Sequence, residues 1–203
     1  MSRSPLTIAY LGFGVLGAGV VGAFAYERLH PPAPPSSAPA AATQAAPDVV
    51  PDPAIRVPAR RPDFTLRDTT GTPRPISGWD GKPMIINFWA TWCAPCRREI
   101  PLLNRLQKEF GPHGTQVVGI AVDFADDVRA FAKKVPMDYP VLVGEDDGLE
   151  AARGFGIETM AFPFTAFTDA AGRVLLVHVG ELHENQARAI LAVVADVDAG
   201  RTV

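Results

Sequence analysis

The stretch from Met84 to Pro101, MIINFWATWCAPCRREIP, limits the folds open to this chain more than any other, because it contains the only two cysteines in 203 residues. Met84-Ile85-Ile86-Asn87-Phe88-Trp89 has the length and residue types of a buried strand. Ala90 to Trp92 make a turn, and Cys93-Ala94-Pro95-Cys96 opens a segment with helical spacing. Cys93 therefore stands at a helix N-terminus, where unpaired backbone N–H groups and the positive end of the helix dipole favour a thiolate over a thiol. A thiolate is the nucleophile of disulfide exchange, and Cys96, one turn further in, is close enough to attack a mixed disulfide on Cys93. Pro95 in the first helical turn loses no hydrogen bond and holds the dithiol on a stiff turn.

Ile100, Leu103, Leu106 and Phe110 recur at helical spacing beyond the motif, so that face packs inward while Arg97, Arg98, Arg105 and Lys108 face water. Pro101 is expected to kink the helix. Zinc usually takes four ligands, and His30, His113, His178 and His183 form no ligand-spaced set with the cysteines. A purely structural disulfide closing so small a loop would restrict the unfolded chain little. A strand, a tryptophan-flanked CxxC and a helix point instead to redox chemistry, with the Cys93-Cys96 disulfide itself as the redox group and no other cofactor.

The net charge of -3 and the lack of a basic cluster argue against nucleic acid as a partner. Leu6 to Tyr26 carries no charge; as a helix it spans roughly 30 Å, the thickness of a bilayer core. It reads as a membrane anchor, or as a signal sequence cut after Ala23-Phe24-Ala25, and its length favours the uncleaved anchor. Arg3 precedes it and Arg28 is offset by Glu27, which places residues 1–5 in the cytoplasm and the rest outside. Residues 27–59 are rich in proline and alanine, a semi-rigid linker able to hold the next domain up to roughly 80 Å from the membrane.

The folded domain is expected over residues 60–200. Asp63 to Arg67 alternates like a strand, Asp68 to Gly71 supplies a turn, and Pro73 to Ser77 returns as a short second strand. Trp79 reads as core packing. Gln116 to Asp123 is a second buried strand, Asp126 to Val135 a short helix, Tyr139 to Val143 a brief strand and Gly148 to Phe155 a further helix. The alternation of strand and helix makes the sheet at least partly parallel. Asp123, Asp126 and Asp127 read as solvated acids near a helix start rather than as metal ligands. Met160 to Phe167 is a strand with Pro163 near its beginning, Asp169 to Gly172 a hairpin turn into Arg173 to Val179, and Glu184 to Asp198 a closing helix with Ala187, Ile190, Leu191 and Val194 inward.

These pieces resemble a thioredoxin-like α/β domain, a central mixed sheet flanked by helices, preceded by a transmembrane helix and a Pro/Ala-rich linker. With NFWATWCAPCRREIP they resemble most closely the membrane-anchored, extracytoplasmic thiol-disulfide oxidoreductases of the TlpA/ResA type. The resemblance implies that Cys93 attacks and Cys96 resolves, that Pro163 is a cis-proline helping to hold a substrate strand, and that Glu99 manages protons near the pair. Trp92, Pro95 and Phe162 would border the substrate. It further implies protein substrates with disulfides or thiols, such as apocytochrome c or copper-site proteins of respiratory oxidases, and a membrane thiol-disulfide transporter as electron donor. The location implied is the periplasmic side of the inner membrane. Three positions depart from relatives of this fold: Asn87 stands where cytosolic thioredoxins bury an aspartate, and Phe162 and Phe164 flank the proline where smaller residues are more usual.

Three other functions compete with this one. A peroxiredoxin requires a threonine three residues before the cysteine and a proline four before that, and here those positions hold Ala90 and Ile86. A disulfide-donating oxidant would use the same two cysteines in the opposite direction. A Cu(I) metallochaperone would use them as soft ligands, but thioredoxin-fold proteins of that kind generally carry CxxxC and a histidine.

Overall fold

The computed structural model describes residues 57–158 and 161–201. The expected anchor at residues 6–26, the residues before it and nearly all of the linker lie outside the described residues; among those described, no helix is long and apolar enough to cross a membrane. Seven strands form one sheet: β1 (Thr65–Asp68), β2 (Pro73–Pro75), β3 (Met84–Trp89), β4 (Gln116–Val122), β5 (Val141–Gly144), β6 (Phe164–Thr168) and β7 (Val174–Val179). Among the described residues four α-helices accompany it: α1 (Ala94–Phe110), α2 (Ala125–Ala132), α3 (Asp146–Gly154) and α4 (Glu184–Asp198). The strand order is β2-β1-β5-β4-β3-β6-β7. β3, β4 and β5 run parallel, while β1 and β6 run antiparallel to their neighbours β5 and β3. The sheet is mixed, as the resemblance implied.

Strand β3 is buried along its whole length, which explains its near-continuous apolar sequence. Its side chains alternate between two cores. Ile85 and Trp89 join Leu102, Leu103 and Leu106 of α1, Val128 of α2, and Ala187, Ile190, Leu191 and Val194 of α4. Met84, Ile86 and Phe88 face the other side, with Ala151 and Ala152 of α3, Phe155 and Phe164. Asn87 shares the parity of Ile85 and Trp89, so its amide is carried to the face covered by α1.

The sheet departs from the sequence reading in two strands. Pro73 to Ser77 is strand only as far as Pro75 and then turns into a 3-10 segment, Ile76–Trp79, which buries Ile76. Trp79 is half-buried against the second core. The strand expected from Met160 begins only at Phe164, directly after Pro163, because proline has no N–H to give to a ladder. Thr159 and Met160 lie outside the described residues. Helix α1 runs on through Pro101 to Phe110, and the hairpin between β6 and β7 turns at Gly172 with φ +75°, a conformation glycine adopts without a Cβ penalty.

Candidate functional site

The ends of β3 and β4 and the start of β6 meet at one end of the sheet, and α1 begins there. Cys93 is the N-cap residue of α1, with Pro95 in its first turn. Cys93 and Cys96 form a disulfide, with their Cα atoms 5.3 Å apart. The Cys96 backbone N–H donates to Cys93 Sγ at 3.3 Å. In the reduced protein that N–H, together with the helix terminus, favours negative charge on Cys93. Cys93 keeps 5 % of its surface exposed and Cys96 none, so only the first sulfur can be reached from outside.

Glu99 follows Cys96 by one turn and is buried, at 2 % exposure. Its Oε1 accepts from Asn87 Nδ2 at 2.7 Å and its Oε2 from the Leu182 backbone N–H at 2.7 Å. Asn87 Nδ2 also reaches Thr165 Oγ1 at 3.0 Å across the β3–β6 pairing, where Asn87 and Thr165 stand directly opposite. Loss of water raises the Glu99 carboxyl from 4.5 to about 7; the Leu182 and Asn87 hydrogen bonds oppose the rise and the Glu181 charge adds to it. A carboxyl poised there can hold or give up a proton near neutral pH, as thiol chemistry beside it would require. Glu99 does not offset the neighbouring Arg98, which pairs with Glu181 at the surface, and its own carboxyl is buried.

The Phe162-Pro163 peptide is cis. Pro163 is buried, and its carbonyl accepts from the Gly180 N–H at 2.8 Å. The half-buried Phe162 ring stacks on Phe164, which in turn stacks on Phe88 at 4.4 Å. The Trp92 ring lies 6.4 Å from Phe162 and is 61 % exposed, so it is a surface group rather than core packing. Together the seven residues expected from the sequence, Trp92, Cys93, Pro95, Cys96, Glu99, Phe162 and Pro163, fall on adjoining elements at this end of the sheet.

Sequence reading missed the supports of this arrangement. Asp123, read as a solvated acid, is 8 % exposed. Its Oδ2 accepts from the Thr91 backbone N–H at 2.9 Å and from Thr91 Oγ1 at 2.6 Å, and its Oδ1 from the Phe124 N–H at 2.9 Å. That carboxylate ties the loop after β4 to the turn just before the disulfide. The partners of Glu99 were also missed. The parity of Asn87 in an apolar strand was an available signal, whereas nothing local marks Thr165 or the Leu182 N–H. Among the described residues no group of His, Cys, Asp and Glu is arranged to hold a metal ion.

Comparison with known proteins agrees with this geometry. Residues 57–177 match the model of the AhpC/TSA family. A thioredoxin-like protein, YneN, of Bacillus subtilis is 33% identical over 131 residues, covering 62% of this chain and 72% of the relative. The thiol-disulfide oxidoreductase ResA of Geobacillus thermodenitrificans is 30% identical over 130 residues, covering 64% and 72%. The crystal structure of a thiol:disulfide interchange protein of the thioredoxin family from Chlorobium tepidum superposes with a TM-score of 0.59 at 33% identity, covering 68% of this chain and 96% of that one.

Proposed function

From a chain that belongs to the AhpC/TSA family and is a protein thiol-disulfide oxidoreductase of the TlpA/ResA type, we propose a reductant of specific protein disulfides outside the cytoplasmic membrane. The observation that carries the reading is the pairing of a barely accessible Cys93 and a sealed Cys96 with a buried Glu99 raised to about 7. Reduced Cys93, as the thiolate, attacks one sulfur of a substrate disulfide; a mixed disulfide forms and the second substrate sulfur leaves as a thiolate. Cys96 gives its proton to Glu99 and attacks Cys93 Sγ, which releases the remaining substrate sulfur. Two electrons have then passed to the substrate and the Cys93-Cys96 disulfide is restored.

Pro163, Phe162 and Trp92 border the approach to Cys93, and Pro95 stiffens the turn that carries it. Residues 6–26 would anchor the domain, the proline-rich linker would let it reach its partners, and a membrane thiol-disulfide transporter would supply new electrons. Apocytochrome c and copper-site proteins are the substrates this reading favours. Ala90 and Ile86, standing where a peroxiredoxin needs its threonine and proline, argue against peroxidase chemistry.

The test is a trapping experiment. A Cys96→Ser variant lacks the resolving sulfur, so mixed disulfides with envelope proteins accumulate on Cys93 and disappear with dithiothreitol, while Cys93→Ser traps none. Absence of any adduct on Cys96→Ser would sink the proposal.

A further inference from the structure

Among the described residues, the two aromatic side chains most open to water are Trp92 and Phe124, each 61 % exposed. Their positions are equivalent in adjacent parallel strands. Trp89 of β3 pairs with Ala121 of β4, and Trp92 and Phe124 each follow three residues later, where the two chains leave the sheet. The Asp123 carboxylate, bonded to both the N–H and the hydroxyl of Thr91, holds the two loops together next to these rings. On the other flank Val179, also exposed, pairs with Phe164 immediately after the cis-proline. Phe124, Trp92, Phe162 and Val179 therefore mark the ends of four neighbouring strands, β4, β3, β6 and β7, in a row of about 14 Å at the usual strand spacing.

Phe124 is hard to explain by folding. It is the N-cap residue of α2, with extended backbone angles and no side-chain cap hydrogen bond. Serine, threonine, aspartate or asparagine stabilises such a position, and phenylalanine does not. An exposed ring that breaks a local preference with no return inside the domain points to a contact outside it.

We infer that Phe124 is a specificity residue: it forms a second aromatic wall of the docking face and selects polypeptide substrates that carry an apolar side chain beside the target cysteine. This rests on the exchange reading above. The occupant follows from position, because any polypeptide that brings a sulfur to Cys93 must lie over the ends of these strands. The row is long enough for about four residues of extended chain, so side chains flanking the cysteine meet it.

The experiment uses the full-length chain in detergent micelles, reduced beforehand, with three substrates: glutathione disulfide and two peptide–glutathione mixed disulfides that differ only in leucine or serine beside the cysteine. Each turnover moves two electrons from the Cys93-Cys96 dithiol to the substrate disulfide and releases two thiols. In this single turnover the protein as it stands reacts with the leucine peptide with a second-order rate constant about tenfold higher than with the serine peptide, and Phe124→Ala brings the leucine-to-serine ratio close to one. Phe124→Asp does the same although aspartate improves the helix cap, which separates docking from helix stability. A ratio that survives both substitutions, or a loss shared equally by glutathione disulfide, overturns the inference. A parent protein inert to all three substrates instead overturns the exchange reading and takes the inference with it.

Discussion

Replacing Glu99 by glutamine changes the way stability depends on pH, and the size of the change follows from the burial of one carboxyl. In the folded protein Glu99 titrates near 7, against 4.5 for an ordinary glutamate. Below 4.5 the group is protonated in both folded and unfolded chains and has no effect. As pH rises from there the unfolded chain loses its proton first, so the folded state binds more protons and stability falls. The fall ends once the folded protein has ionised too, above about 7. At about 1.4 kcal/mol per pH unit, the wild type loses about 3 kcal/mol across that window relative to a side chain that does not titrate. Glutamine can accept only one of the two hydrogen bonds from Asn87 and Leu182 with its carbonyl, which costs about 1–3 kcal/mol at every pH. The test is therefore the shape of the difference curve, not its level. Urea denaturation of the oxidised domain, wild type and Glu99→Gln side by side from pH 4 to 8.5, measures it, since all other groups are shared. A difference that stays flat across this range, or one in which the wild type gains on the variant as pH rises, refutes the account of Glu99 as a desolvated carboxyl.

Three further outcomes follow from the same geometry. Asn87→Asp sets a second carboxyl against Glu99 Oε1, in place of the amide that now donates at 2.7 Å; the two cannot both ionise, so thermal stability drops by at least about 2 kcal/mol above neutral pH and far less at pH 4 to 5. Leu103→Ala, at a fully buried position between α1 and the sheet, lowers stability by about 2–5 kcal/mol in denaturant titration and leaves the disulfide intact. Equilibration of the Cys93-Cys96 pair with a thiol buffer gives a reduction potential well below about -180 mV if the protein is a reductant; a value near about -120 mV would assign it to disulfide donation instead.

Local sequence determined the elements whose signal repeats along one segment. The closing helix spans Glu184–Asp198 with Ala187, Ile190, Leu191 and Val194 buried, as helical spacing predicts, because an amphipathic helix writes its inward face into every turn. The redox strand, the turn and Cys93 at the head of α1 were legible for the same reason, since length, residue type and an N-terminal proline all act within a few residues. Tertiary structure decided the chemistry around the cysteines. Helical spacing places Glu99 near Cys96 but cannot say whether it meets water; Asn87 from β3 and the Leu182 N–H, 83 residues away, enclose it, and only that enclosure raises its carboxyl to about 7. Asp123 carried the same ambiguity. An acidic residue before a helix is usually solvated, and this one became a buried acceptor because β3 and β4 end side by side and bring Thr91 to it. The identity of a side chain is local, but its desolvation and its partners belong to the packed sheet, where segments far apart in the chain remove water from the same few atoms.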